Sequence, residues 1–342
     1  MLFIFSPLVK MSLKIFKAGI LDTIQDWGRY GHQHLGINPG GAMDKFSAQI
    51  ANMLVGNDVK EAVIESHFPA SVFIFQQPAL IALSGADFCA SINGEKIPCL
   101  HPVLVNKNTV LQFHKTATGA RAFIAVQGGF NVPLWLGSSS TNLKAEVGGF
   151  KGRSLRKDDE IGFKQDNILV SHLKTKEFLV LPWKADDKWE NNRTNEILIL
   201  PGNECCRLTD KSKEKIFGQP FTITNQSDRM GFRLKSEPLV TTNAEEVISS
   251  AVSFGTIQLL PDGQLIILMA DHQTTGGYPR VAHVISAHHS RLAQMKAGEM
   301  IRFRLASQQI AEELYIKQQQ HLLQLQNACT FRLQEYLHAS QY

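Results

Sequence analysis

Leu265-Ile266-Ile267-Leu268-Met269-Ala270 runs directly into Asp271-His272-Gln273-Thr274-Thr275-Gly276-Gly277-Tyr278-Pro279. The first part is a short apolar run with no polar residue to mark a helical face, and the second is a cluster of turn formers and hydrogen-bonding groups. A run that short, bounded by Asp and a Gly-Gly pair, predicts a buried strand ending in a polar loop. The same pattern recurs at Val72–Phe75, Leu80–Leu83, Val103–Val105, Val110–Phe113, Ala122–Val126, Ile197–Leu200 and Ile301–Leu305, each closed by Gly, Pro, Asn or Asp. Closely spaced short strands predict a mainly β protein of sandwiches or barrels.

Helices are few. Met43, Phe46, Ile50, Met53 and Leu54 recur at helical spacing after Gly40-Gly41 and stop at Gly56-Asn57. A second short helix is expected over Ser290–Lys296. From Ser307 to Ala339 the chain turns rich in Gln, Leu and Glu, with Ile310, Leu314, Leu322, Leu325 and Leu333 forming an imperfect apolar stripe. That stripe predicts an appended helix that packs on its own domain or on a second copy.

The 342 residues exceed what one core usually absorbs, so two domains are expected. The divisions are an extension over 1–11, a first domain over 12–190, a second over 191–306 and a helical tail over 307–342. The interior boundary is set in a charged stretch with two tryptophans and little periodicity. Met11 opens a strand-like segment, so translation is read as starting either there, with residues 1–10 an upstream extension, or at Met1.

Hydrophobic residues make up 44% and charged residues 19%, an ordinary globular balance. The net charge of +4 is spread along the chain, which argues against a nucleic-acid partner. Five cysteines without a CxxC pair suggest a reducing cytoplasm. No stretch approaches the roughly 18 apolar residues of a membrane span.

Five polar segments interrupt the strands, and loops on a rigid scaffold are where sites usually sit. In the first, Asp26-Trp27-Gly28-Arg29 precedes Pro39-Gly40-Gly41-Ala42-Met43-Asp44. Two glycines ahead of a helix either expose N–H groups to an anion or make a tight turn. In the second, Asp87 ends the run from Leu80, as a general base or as a turn cap. In the third, Ser138-Ser139-Ser140-Thr141 offers hydroxyls to an oxygen-rich ligand but has no histidine nearby in sequence to activate a serine. In the fourth, Asp228-Arg229 either clamps a carboxylate or forms an internal ion pair. The fifth, Asp271–Pro279, is the densest in donors and acceptors. No GxxxxGK[ST] is present. Ala293-Gln294-Met295-Lys296 faintly resembles a biotin-attachment sequence but reads as structural, so no biotin attachment is assigned. His283, His288 and His289 lack a metal spacing, and no metal is assigned.

Six ordered segments together resemble one family. They are Thr23-Ile24-Gln25-Asp26-Trp27-Gly28-Arg29, Pro39-Gly40-Gly41-Ala42-Met43-Asp44, Leu83-Ser84-Gly85-Ala86-Asp87, Gly148-Gly149-Phe150-Lys151-Gly152-Arg153, Gln226-Ser227-Asp228-Arg229-Met230-Gly231 and Gln273-Thr274-Thr275-Gly276-Gly277-Tyr278-Pro279. The family is described as the 5-oxoprolinase C subunit, KipA, allophanate hydrolase subunit 2 or biotin-dependent carboxyltransferase, and the likeness runs from about Gly19 to Phe303. It implies two tandem cyclophilin-like β-barrel domains and a small-molecule substrate. The implied partners are a KipI-like B subunit and an A subunit. ATP, used by the complex, would activate the lactam of 5-oxo-L-proline for hydrolysis to L-glutamate.

The alternatives are the carboxyltransferase component of a urea-carboxylase-like enzyme and a KipA-like regulator that binds a kinase inhibitor. The resemblance locates Asp26, Asp87 and Asp271 as candidate acid/base residues. It locates Arg29, Gly40, Gly41, Asp44, Ser138, Ser139, Gln226, Asp228, Arg229, Gln273, Thr275 and Tyr278 as candidate substrate-binding residues. His272 stands where arginine is usual, Asp158 where glycine is usual, and the tail beyond Ser307 is additional.

Overall fold

A computed structural model of the chain describes residues 12–165, 173, 175–189, 195–242 and 247–338. The expected extension over 1–11 and the expected boundary at 190/191 lie outside the described residues. One six-stranded sheet holds β11 (Glu160–Gly162), β1 (Ser12–Lys17), β4 (Val72–Phe75), β9 (Val110–Phe113), β6 (Ala90–Ile92) and β7 (Glu95–Lys96), in spatial order. A second holds β12 (Phe178–Val180), β8 (Pro102–Val105), β5 (Ala79–Asp87), β10 (Thr118–Val126), β3 (Val63–His67) and β2 (Asp22–Gln25).

The two sheets close on a core that includes Leu13, Ile15, Phe73, Phe75, Ile81, Leu83 and Ile124. The other face of the second sheet, through Val63, Leu80, Ala82, Leu104, Phe123 and Ala125, packs under helix α1 (Lys45–Leu54). Being covered on both faces explains why Leu80–Leu83 is continuously apolar, whereas β4, covered on one, alternates buried and half-buried residues.

The later strands close into a seven-stranded barrel: β13 (Glu196–Pro201), β20 (Arg280–Val284), β17 (Thr256–Leu259), β18 (Leu265–Leu268), β15 (Gly231–Lys235), β14 (Phe221–Ile223) and β21 (Met300–Leu305). Its pairs are antiparallel except β13 with β21, which run parallel. Beside it, β16 (Ser250–Ala251) and β19 (Thr275–Gly276) form a small ribbon. The mainly β expectation holds, and the opening apolar run is β18, with Ile267 and Met269 fully buried.

Among the described residues the remaining helices are α2 (Asp210–Gly218), α3 (His289–Ala293) and α4 (Gln308–His338). The expected helix over Ser290–Lys296 is thus shorter and starts one residue earlier. Helix α2 carries so many charges that apolar periodicity does not reveal it. Its start is set by Thr209, whose hydroxyl accepts from the Ser212 N–H at 3.3 Å. Asp158, where the resemblance calls for glycine, has a φ of +66°, the left-handed region in which glycine is the least strained residue.

Candidate functional site

The two β units meet at Gly40-Gly41. Gly40 has φ +62° and Gly41 φ +96°, and a Cβ at Gly41 would stand 2.9 Å from the Trp27 carbonyl. Both conformation and space therefore demand glycine here. Just beyond, Met43 inserts its side chain into the barrel core rather than under α1, which fastens the first unit to the second.

Behind this turn lies a network of buried charges. Arg229 Nε donates to Asp271 Oδ2 at 2.8 Å, Nη1 to Glu65 Oε1 at 2.5 Å, and Nη2 to the Gly41 carbonyl at 2.6 Å and Asp271 Oδ1 at 3.1 Å. Glu65 is fully buried, and its Oε2 accepts the Met43 N–H at 2.8 Å. Burial works against both charges, but the pair outweighs it: Arg229, flanked by Asp271 and Glu65, is held above the usual guanidinium range, and Glu65 below the usual carboxylate range. The Ala42 N–H donates to the Asp26 carbonyl at 2.9 Å. The anion drawn to this turn is thus the protein's own Glu65.

Arg29 lies on the other side of the turn, 1% exposed, with its guanidinium 4.8 Å from the Trp135 ring centroid. A Cβ at Gly40 would stand 3.2 Å from Arg29 Nη1 and 3.6 Å from Asp271 Oδ1. Arg29 Nη2 donates to the Ser140 carbonyl, while Nε and Nη1 have no protein partner. Burial lowers its pKa, with Asp26 and Asp271 opposing that. Asp26 is the hub of its own loop. Its carboxylate accepts from the Gly28 N–H at 2.7 Å, the Ser138 hydroxyl at 2.7 Å, the Ser139 N–H at 2.5 Å and the Ser140 hydroxyl. The Ser138–Thr141 hydroxyls are buried and turn toward the protein.

In front of the turn a cleft of about 440 Å³ opens between the units, in the ordinary range for a small ligand. Its walls include Trp27, Tyr30, Gly40, Lys45, Phe254, His272, His289, Tyr315 and Gln318. The Lys45 ammonium lies 5.1 Å from the Trp27 ring and 4.9 Å from the Tyr30 ring. His289 lies against Phe254 with ring centroids 4.5 Å apart. Burial brings its pKa down to about 4, and its Nε2 is buried against Gly255. His272 is also lowered by burial, its Nδ1 bonded to the Gln273 carbonyl at 2.5 Å. Near neutral pH both rings are uncharged, and with Nδ1 donating to a carbonyl the His272 ring keeps its lone pair on Nε2.

The structure brings together Asp26, Arg29, Gly40, Gly41, Arg229 and Asp271, with Gly40 the one of them that lines the cleft. Ser138 and Ser139 stand behind Asp26. Asp44 is fully buried as the N-cap of α1, accepting from the Ser47 N–H at 3.0 Å and from Gln294 Nε2 at 2.8 Å. Gln294 also accepts from the backbone N–H groups of Ala120 and Arg121, so the segment that resembled a biotin-attachment sequence is a strut between the units.

Other candidates lie elsewhere. Asp87 accepts from the Cys89 N–H at 2.8 Å, capping its own turn. Gln226 and Asp228 are exposed, and Asp228 accepts from the Met230 and Gly231 N–H groups. Gln273 reaches Gln258 at 3.4 Å, Thr275 is exposed in the β16–β19 ribbon, and the Tyr278 ring lines a separate cavity with Pro238 and Leu259. Sequence reasoning missed Glu65, Lys45 and the cleft side of His289. Glu65 carried a signal, an acid interrupting Ala62-Val63-Ile64, since unpaired acids are almost never fully buried.

The carboxyltransferase domain, subdomain A and B, matches residues 35–305. The chain is 35% identical over 303 residues to the 5-oxoprolinase C subunit of Haemophilus influenzae, covering 89% of this chain and 94% of that protein. It is 34% identical over 316 residues to the 5-oxoprolinase C subunit of Escherichia coli, covering 92% and 97%. Among solved structures it resembles the urea carboxylase of Kluyveromyces lactis at 26% identity and a TM-score of 0.83, covering 92% of this chain and 29% of that one. Among the described residues no helix is long and apolar enough to cross a membrane.

Proposed function

The chain belongs to the carboxyltransferase domain, subdomain A and B, family, and from that premise we propose that it is the C subunit of an ATP-dependent 5-oxoprolinase. In this reading it works with A and B subunits to open 5-oxo-L-proline to L-glutamate, and the cleft in front of Gly40 receives the lactam. The reading is supported first by the near-complete, two-way coverage of the two 5-oxoprolinase C subunits. The observation that carries it is the make-up of the cleft: one cation, Lys45, with two neutral imidazoles and five aromatic residues.

A small ring bearing one carboxylate and one amide complements that set. The carboxylate pairs with Lys45, the ring lies against Trp27 or Phe254, and the amide N–H donates to an imidazole nitrogen. The buried network behind Gly40 keeps the turn in place, and the Arg29 guanidinium on its other side contributes a fixed positive field toward the amide oxygen, where negative charge develops as water attacks. ATP, used by the complex, would make that oxygen a better charge-bearing group.

The chain should be inactive alone and should yield glutamate from 5-oxoproline and ATP once combined with folded A and B subunits. A complete folded mixture that forms no glutamate overturns the reading. The likeness to urea carboxylase favours a second one, carboxyl transfer from a biotin carrier. In that case the chain would support urea carboxylation when supplied with a carboxylated carrier, and lactam hydrolysis would be absent.

A further inference from the structure

Helix α4 lies beyond residue 305, where the family match ends, yet it forms one wall of the cleft through Tyr315, Gln318 and Gln319. A helix that served only to cover its own domain would present apolar side chains there. It does so further along, where Leu322, Cys329 and Leu333 are buried with residues of α1 and the second sheet. Its placement is fixed by directed contacts as well. The His321 ring stacks on Phe46, centroids 6.4 Å apart and planes 18° apart, and its Nε2 bonds the Asp186 carbonyl at 2.8 Å.

At the cleft the buried residue of α4 is polar. Gln318 is 6% exposed, and its Nε2 donates to the Ala287 carbonyl at 3.1 Å. That bond uses one of the two amide N–H donors and fixes the side chain in place. One turn earlier, Tyr315 presents a half-exposed ring to the same cavity.

We propose that α4 is the specificity wall of the cleft: Tyr315 and Gln318 close one side of it and restrict the site to a small ring. A ligand extended by a further residue would collide with that wall. The inference rests on the cleft being the lactam site. Its effect is one of discrimination, and a pocket contact of this kind is worth about tenfold or more between competing ligands.

The test compares 5-oxo-L-proline with 5-oxo-L-prolyl-L-alanine by calorimetry on the full chain, alongside glutamate formation by the assembled complex. The variants are Tyr315→Ala, at a half-exposed position that should not disturb folding, and Tyr315→Ala with Gln318→Ala. The unsubstituted chain should favour the single ring, and the double variant should lose about tenfold of that ratio, a change that simple destabilisation would not produce. An unchanged ratio overturns the inference. So does absence of binding to the chain while the complex still makes glutamate, which leaves the proposed reaction standing. Binding with the expected loss of discrimination, but no turnover by the complex, upholds the wall and overturns the reaction. Neither binding nor turnover overturns both.

Discussion

The two sides of the Gly40-Gly41 turn use polar residues in opposite ways. Behind it, Arg229 directs its donors to Asp271, Glu65 and the Gly41 carbonyl. In front, Lys45, His272 and His289 line a cavity. Charges satisfied by each other hold two folding units in register. Groups left over, in a space large enough for a small molecule, are the ones that can recognise a ligand. Conspicuous sequence motifs can belong to the first kind, because a buried ion pair constrains residue type as strictly as a substrate does.

Arg229→Met should break the contrast most visibly. It leaves Glu65 fully buried without its counter-charge and should cost about 3–5 kcal/mol in denaturant unfolding. A loss under about 1 kcal/mol would mean that the pair is not the fastener described.

Acid should reveal the same asymmetry. Burial holds His289 at about 4, and burial reinforced by Arg121 does the same for His67, against an ordinary 6.5. The unfolded chain therefore takes up protons first, so stability is complete above about 6.5 and falls as the pH drops toward 4, by about 3 kcal/mol for each ring. Glu65, held below its ordinary value, adds its own loss only at still lower pH. His272 and His283, lowered in the same direction, add to that fall. Thermal unfolding of His289→Phe across that window should show a clearly reduced slope; an unaltered slope would place the titration elsewhere.

Lys45→Met tests the open side. It should lower kcat/KM of the assembled complex for 5-oxoproline about ten- to hundredfold, the value of a charge-assisted hydrogen bond. Unfolding should move by no more than about 0.5 kcal/mol, since Lys45 makes no buried ion pair. Equal losses of stability and rate would erase the distinction between the two regions. The smallest effect is expected at Asp228, an exposed turn cap. Asp228→Ala should cost about 1 kcal/mol or less, with turnover unchanged; loss of turnover would return this residue to the site.

Much of the fold was legible because short-range physics sets it. The bounded apolar runs at Val72–Phe75 and Val110–Phe113 are β4 and β9, and the periodic stretch after Gly40-Gly41 is α1. Helix α2 was not legible, since only Ser212 and Ile216 are buried and its start depends on a capping hydroxyl. The candidate site was legible as loops but not as roles. Asp228 and Arg229 are neighbours that go opposite ways, one capping an exposed turn and the other buried 42 residues away from its Asp271 partner in sequence.

By itself the sequence determined the strands, the glycine turn ahead of α1 and the appended helix, because those follow from local backbone conformation and from where apolar residues repeat. Only the tertiary structure decided that Glu65 answers Arg229, that Lys45, His289 and Gln318 share one cleft, and that Asp87 stands outside it. Charge pairing and cavity formation depend on distance in space, and closing two β units against each other brings together residues that chain spacing leaves unrelated.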